Sequence, residues 1–164
     1  MRDKNMQVIG VKIEEPREAQ EIFDDFESYR ENKNIFLQIL EPEKVIGEEH
    51  LLWAFQKAEE SFENGSNRAD SLEIETLLWA SAEWQIKDGL DKMGIEDNAE
   101  QAAVMIDDES EIENLLDSMN WTRDDEVLEP TEEKLKRFGI DEKEIRYVEN
   151  PYDLIFEKMA TSVL

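Results

Sequence analysis

Apolar residues recur along this chain with two different spacings, and each change of spacing marks the boundary of a predicted element. Three segments carry short, dense apolar runs of the kind that form strands, at residues 7–13, 34–40 and 102–106. Asn34 and Pro42 bound the second run. Because this run is almost continuously apolar, we predict that its strand is covered on both faces.

Outside these runs, apolar residues recur every three or four positions, which is the spacing of one buried helix face. Six stripes of this kind predict amphipathic helices, although the third and fourth stripes fit either one bent helix or two consecutive ones. The stripes are Ala19, Ile22, Phe23, Phe26 and Tyr29; Leu51, Ala54, Phe55, Ala58 and Phe62; Ile74, Leu77, Leu78 and Trp79; Ile86, Leu90 and Met93; Ile112, Leu115, Leu116 and Met119; and Ile155, Met159 and Val163. Gly65 and Gly94 follow the second and fourth stripes, where glycine readily adopts a conformation that ends a helix.

The last third of the chain holds weaker patterns. Val127 and Leu128 indicate a short strand, and a short helix with Leu135 and Phe138 follows and ends at Gly139. One more strand is indicated by Ile145, Tyr147 and Val148. Strands and helices alternate and the helices outnumber the strands, so the sequence predicts an α/β (α+β) fold in a single domain over residues 1–164.

Charge changes the picture of the surface. The chain has 43 Asp and Glu against 18 Lys and Arg, for a formal net charge of −25. The acidic residues are interleaved with apolar ones, which is typical of a folded acidic surface adapted to high salt and not of a disordered acidic tail. No stretch approaches the ~18 to 20 apolar residues that a membrane span needs, so we expect a soluble, cytoplasmic protein with no membrane contact.

The inventory of reactive groups is small. The absence of cysteine excludes disulfides, thiolate nucleophiles and cysteine-based zinc sites. His50 is the one histidine, and we expect it to be partly exposed in the first turn of a helix. The six glycines do not fall into the spacings that cradle a phosphate, so we predict no nucleotide cofactor.

One acidic cluster offers an alternative function. Asp107, Asp108 and Glu111 supply the oxygen ligands that Mg²⁺ and Ca²⁺ prefer, which would suit a small metal-assisted hydrolase. The cluster lacks the spacing and the turn glycine of an EF-hand loop. Asp108 and Glu109 at the start of a helix are better explained as capping residues, so we predict no metal site and no catalytic residues.

The segment 72–95 carries a motif with a family resemblance. It reads LEIETLLWASAEWQIKDGLDKMGI and is similar to the Glu-x-Leu-Leu-Tyr-x-Ser-x-x-x-Gln-Ile core of the KEOPS complex regulatory subunits, also described as PRPK-binding proteins, in their archaeal form. Trp79 stands where tyrosine is usual. Residues 127–134 resemble a late strand-to-helix junction of that family, and residues 159–164 resemble its closing helix, so the similarity extends over essentially the whole chain.

This resemblance implies a non-catalytic subunit of the complex that makes threonylcarbamoyladenosine on tRNA. It implies an antiparallel or mixed sheet packed with several amphipathic helices. It also implies two partners within a hetero-oligomeric complex: the kinase-like ATPase subunit, and the 3′ end of tRNA.

The residues of segment 72–95 suggest where the kinase would bind. The run from Leu77 to Ala80 spans most of the circumference of a helix, which is more than one buried stripe requires. We therefore predict that Ile74, Leu77, Leu78 and Trp79 contribute to the contact with the kinase-like ATPase.

For tRNA we predict Lys57, Arg68 and Lys87 as phosphate contacts and Trp84 as a stacking platform. Arg68 matches a basic position that is common in the resembled family. Because the acidic chain as a whole repels RNA, we expect the subunit alone to bind it weakly.

Overall fold

Four short strands form one antiparallel sheet in the computed structural model, which describes residues 5–31, 33–146 and 149–161. The strands are β1 (Gln7–Ile13), β2 (Leu37–Leu40), β3 (Gln101–Ile106) and β4 (Trp121–Arg123), and they lie in the order β2-β3-β1-β4. All three pairings are antiparallel. The predicted mixed fold, with an antiparallel sheet and several helices, is confirmed.

Eight α-helices lie within the described residues. They are α1 (Ala19–Arg30), α2 (Gly47–Glu63), α3 (Leu72–Ser81), α4 (Ile86–Met93), α5 (Ile112–Met119), α6 (Glu132–Phe138), α7 (Glu142–Arg146) and α8 (Pro151–Thr161). Short 3-10 helices span Pro42–Lys44, Glu109–Glu111 and Asp125–Leu128. Among the described residues, no helix combines the length and the apolar composition needed to cross a membrane.

The sheet is covered on both faces because its side chains alternate in direction. In β3, Ala102, Val104 and Ile106 pack in one apolar cluster with α1 and α5. The intervening Ala103 and Met105 pack in a second cluster with α2, α3, α6 and α8. The sheet is therefore the middle layer of a three-layered core. Each large apolar side chain buried in the two clusters contributes about 1.5 to 3 kcal/mol to folding.

The predicted strand at Val127 and Leu128 is wrong. Both side chains are buried, but they belong to the 3-10 helix Asp125–Leu128, whose first turn is capped by the Asp124 carboxylate accepting from the N–H of Glu126. This turn packs directly on the backbone of Gly10, where a Cβ would lie 2.3 Å from the carbonyl oxygen of Asp124. Apolar character there reflects burial against β1 and not strand pairing.

The predicted strand at residues 145–148 is also wrong at Ile145, which lies in α7. Tyr147 and Val148 lie outside the described residues, as does Val163 of the last stripe. The sequence patterns missed β4, which is only three residues long and exposes two of them, and α7, which buries no residue.

His50 connects α2 to α3 through hydrogen bonds. The prediction that its side chain is partly exposed is wrong. The ring is fully buried, with Nδ1 accepting from the N–H of Ile46 at 3.0 Å and Nε2 donating to the carbonyl of Ala80 at 2.8 Å. An acceptor at Nδ1 and a donor at Nε2 require the neutral ring. The pKa of His50 is lowered from 6.5 to about 4, mainly by burial; the hydrogen bond to Ala80 opposes this shift, and the charges of Lys92 and Lys134 add to it.

The buried His50 predicts a pH dependence of stability. Between about pH 6.5 and about pH 4 the unfolded chain binds a proton at this ring and the folded chain does not. The contribution of the neutral ring to the free energy of unfolding is therefore complete above about pH 6.5. As the pH falls to about 4, the free energy of unfolding decreases by up to about 3 kcal/mol. Urea unfolding of wild type and His50→Gln from about pH 7 to about pH 4 measures this loss, because Gln can make both hydrogen bonds without titrating. Carboxylate titration is common to both proteins, so parallel pH curves would contradict the prediction.

Candidate partner-binding site

The four predicted partner-binding residues on helix α3 differ in how far they are exposed to solvent. Leu77 and Leu78 are 1% and 0% exposed, and Trp79 is 8% exposed. Only Ile74 of the four is partly exposed. Leu77 and Leu78 are therefore unavailable for direct contact with a partner in this structure.

The helix that covers these leucines is α4. Gly89 of α4 lies directly against them, and a Cβ at that position would be 2.9 Å from Leu78 Cδ2 and 3.2 Å from Leu77 Cδ2. The apolar circumference of α3, which suggested a partner surface, is thus covered by the chain itself. Glycine allows the close helix contact that covers it.

Exposed apolar side chains appear instead on α4. Ile86 and Leu90 are one helical turn apart and are 40% and 38% exposed. We group them with the partly exposed Ile74 of α3, the helix on which α4 packs, and call these three residues the α3–α4 surface. None of the three is among the residues packed in either core cluster. On a chain with a net charge of −25, such residues mark a candidate protein contact.

A cleft of about 330 Å³ lies between the C-terminal half of α2, the loop after it and the α3–α4 junction. It is lined by Lys57, Glu60, Ser61, Asn64, Ser66, Arg68, Trp79 and Trp84. Three of the four predicted RNA contacts, Lys57, Arg68 and Trp84, therefore share one cleft. Lys87 is exposed on α4 and is not among the lining residues.

Arg68 lies in the wall of this cleft with most of its side chain covered. Its guanidinium lies 5.3 Å from the ring centroid of Trp79 and 5.1 Å from that of Trp84, and Nη1 donates to the carbonyl of Glu83 at 2.9 Å. The side chain is only 11% exposed. Burial lowers the pKa of Arg68, while the nearby Glu75 raises it. The expected role of a surface phosphate contact does not fit a guanidinium held in this way.

Lys57 and Trp84 are the accessible groups of the cleft. The Lys57 ammonium lies 3.3 Å from the Glu60 carboxylate and 5.2 Å from the ring centroid of Trp53. The ion pair with Glu60 already neutralises part of its charge. Trp84 is 55% exposed. An aromatic ring open to solvent and braced by Arg68 is suited to stacking against a planar ligand.

A row of aromatic rings connects α8 to this cleft. Tyr152 stacks on Phe156 with ring centroids 5.8 Å apart, and Phe156 stacks on Trp53 at 5.3 Å. Trp53 in turn meets Trp79 edge to face at 6.1 Å. The predicted stripe of the last helix did not include Tyr152 and Phe156, although their spacing of one helical turn is the sequence signal for this packing.

A comparison with protein-family models matches residues 13–161 to the family described as kinase binding protein CGI-121. The chain belongs to the CGI-121 family. The match covers every element from α1 to α8, and it confirms the resemblance to the KEOPS and PRPK-binding proteins. A search among curated proteins gives no match.

The motif that carries the CGI-121 resemblance builds the two turns around α3. Glu75 is fully buried, and its Oε1 accepts from the N–H groups of Arg68 at 2.8 Å and Ala69 at 2.9 Å. At the other end, Ser81 Oγ donates to the carbonyl of Leu78 and accepts from the N–H of Glu83. The motif thereby fixes both the loop that holds Arg68 and the junction that presents Trp84.

The acidic cluster is engaged in local structure. Asp107 accepts from the N–H of Phe36 at 2.7 Å, and Asp108 caps the turn that follows it by accepting from the N–H of Ser110 at 3.0 Å. Glu111 accepts from the Tyr29 hydroxyl, and this hydrogen bond holds the pKa of Glu111 below its ordinary value. Within the part of the chain that the structure describes, no group of three His, Cys, Asp or Glu side chains is placed to hold a metal ion.

Proposed function

We propose that this chain is a non-catalytic, kinase-binding subunit of a KEOPS complex and that the kinase-like ATPase subunit docks on the α3–α4 surface. Membership of a kinase-binding family supports a kinase partner. The observation that carries the docking site is the exposed apolar pair Ile86 and Leu90 on a strongly charged chain. Burying such side chains against a partner removes apolar area from water and favours association.

The charge of the chain supports the same proposal. A net charge of −25 produces a negative field that accelerates the approach of a basic partner surface and disfavours acidic ones. The apolar α3–α4 surface then supplies the short-range contact. We expect the association rate to fall with added salt while the apolar contact persists.

Calorimetric titration of the full chain with the kinase-like ATPase tests the proposal. The expected result is saturable binding with one chain per kinase. A non-catalytic role also requires that hydrolysis of ATP by the mixture is lost when the kinase-like subunit is replaced by an inactive variant. Absence of binding, or ATP hydrolysis by this chain alone, would overturn the proposal.

We further propose that the subunit helps to recruit tRNA for threonylcarbamoyladenosine modification by holding the single-stranded 3′ end in the cleft beside Trp84. The exposed Trp84 ring supports base stacking, and Lys57 supports one phosphate contact. Lys87 would add a second phosphate contact outside the cleft. Arg68 would act by bracing Trp84 and not by touching RNA. With so few cations, the salt dependence of binding should be shallow.

Filter binding with intact tRNA and with tRNA lacking its terminal CCA tests this second proposal. Trp84→Ala should weaken binding of intact tRNA by about 1 to 3 kcal/mol, the range for loss of one stacked base. Lys57→Gln should weaken it less, because that charge is shared with Glu60. Lys143→Gln, an exposed lysine on α7, is the matched control and should have no effect. Equal affinity for the two RNAs, for the subunit alone and within the assembled complex, would contradict the proposal.

A further inference from the structure

Three lysines from separate elements approach one another at the C-terminal end of α6. The Lys92 ammonium of α4 lies 4.0 Å from the ring centroid of Phe138 and donates to the Phe138 carbonyl at 3.4 Å. The Lys158 ammonium of α8 lies over Gly139, only 2.8 Å from the position of a Cβ at that residue. Lys44, which ends the 3-10 helix Pro42–Lys44, is close enough to Lys92 to repel it.

This concentration of positive charge runs against the composition of the chain, which has 43 acidic and 18 basic residues. Glu83 is 3.9 Å from the Lys92 ammonium. Among the described residues, Lys44 and Lys158 have no carboxylate oxygen within ion-pair distance, although Glu41 interacts electrostatically with Lys44 from farther away. Burial lowers the pKa of Lys92 to about 8, with Glu83 opposing the shift and Lys158 and Lys44 adding to it.

Capping of α6 explains only part of this arrangement. The last carbonyls of a helix attract cations, and the Lys92 contact with the Phe138 carbonyl satisfies that requirement. One ammonium is enough for this purpose. Lys158 and Lys44 add repulsion that α6 does not need, and side chains of this length could turn toward the abundant carboxylates of the chain.

We propose that Lys44, Lys92 and Lys158 form a binding site for a small oxyanion of the phosphate class at the Phe138–Gly139 corner. A divalent oxyanion would offset the mutual repulsion of the three ammonium groups and accept hydrogen bonds from them. Gly139 is exposed and has no Cβ, which lets the Lys158 ammonium lie close over its backbone at the surface, where an anion can reach it. The site uses none of the α3–α4 surface residues or the cleft residues, so it stands independently of both proposed contacts.

The test measures the melting temperature of the full chain in sodium phosphate and in sodium chloride at equal sodium concentration and equal pH. Screening of the acidic surface by sodium is then the same in both buffers, and only the anion differs. We expect phosphate to stabilise the wild type relative to chloride. General salting-out by phosphate is common to all variants. Lys158→Met, which keeps the aliphatic stem and removes the charge, should therefore show a smaller difference than the wild type, whereas Lys143→Met should retain the full difference.

A second measurement keeps the proposal testable if Lys158→Met folds poorly. NMR titration of the wild-type lysine side chains should show the pKa of Lys92 rising by about 1 unit when phosphate replaces chloride, as expected when a negative charge binds beside an ammonium group. The pKa of Lys143 should not change. An equal effect of phosphate on the melting temperatures of the wild type and Lys158→Met, together with an unchanged pKa of Lys92, would overturn the proposal.

Discussion

Leu90→Glu is expected to weaken binding of the kinase-like ATPase by about 2 kcal/mol or more, which is roughly 30-fold in the dissociation constant. The new carboxylate would have to lose its water on docking, and the leucine contact would be gone. Ile86→Glu should have a similar effect. Because both positions are exposed on α4, neither substitution should lower the free energy of unfolding by more than about 0.5 kcal/mol. Calorimetric titration and urea unfolding measure the two quantities.

Gln20→Glu is the matched control for this experiment. Gln20 is exposed on α1, which packs on the opposite face of the sheet from α3, and the substitution adds the same charge. Any loss of affinity common to all three variants would report the net charge of the chain. If Leu90→Glu and Ile86→Glu bind as tightly as Gln20→Glu, the kinase does not dock on the α3–α4 surface.

Arg68→Glu is expected to lower the free energy of unfolding by about 3 to 5 kcal/mol, as for a buried charge that loses its partner. The substitution would place a second carboxylate beside the fully buried Glu75, remove the guanidinium between Trp79 and Trp84, and break the hydrogen bond to the Glu83 carbonyl. Arg68→Met, which preserves packing between the rings, should cost less.

A double variant separates the electrostatic part of this effect from the packing part. Glu75→Gln keeps an oxygen that can accept from the N–H groups of Arg68 and Ala69 but removes the buried charge. In the Arg68→Met background it should therefore restore stability relative to Arg68→Met alone, as measured by urea unfolding. Should Arg68→Glu unfold at the wild-type urea concentration, Arg68 would be a free surface cation, as its sequence-based assignment to phosphate binding requires.

The regular elements of this fold were predictable because burial imposes a period on the sequence. The stripe of α2 and the dense runs of β2 and β3 each record contact with the sheet core. Val127 and Leu128 were not predictable in the same way, since two apolar residues fit a strand and a buried turn equally well. The deciding contact, with the bare backbone of Gly10, joins residues more than a hundred positions apart.

Sequence could bring the candidate site residues into one region of the fold but could not predict how each of them is buried. The motif around Glu75 directed the site prediction to the pair α3 and α4, yet it could not reveal that Gly89 allows α4 to cover Leu77 and Leu78. It also could not separate Arg68 from Lys57, because burial between two tryptophans depends on how three segments fold together. A basic residue beside a predicted aromatic cleft has the same sequence pattern whether it supports the cleft or binds a ligand.

Hydrogen–deuterium exchange of the full chain, free and bound to the kinase-like ATPase, tests the proposed docking site most directly. Docking on the α3–α4 surface predicts that the amides of residues 82–93 exchange more slowly in the complex, because the partner suppresses the local opening of this short helix. The amides of α1 and α5, on the other face of the sheet, should be unchanged. Slower exchange confined to α1 and α5, with residues 82–93 exchanging as in the free chain, would contradict the account.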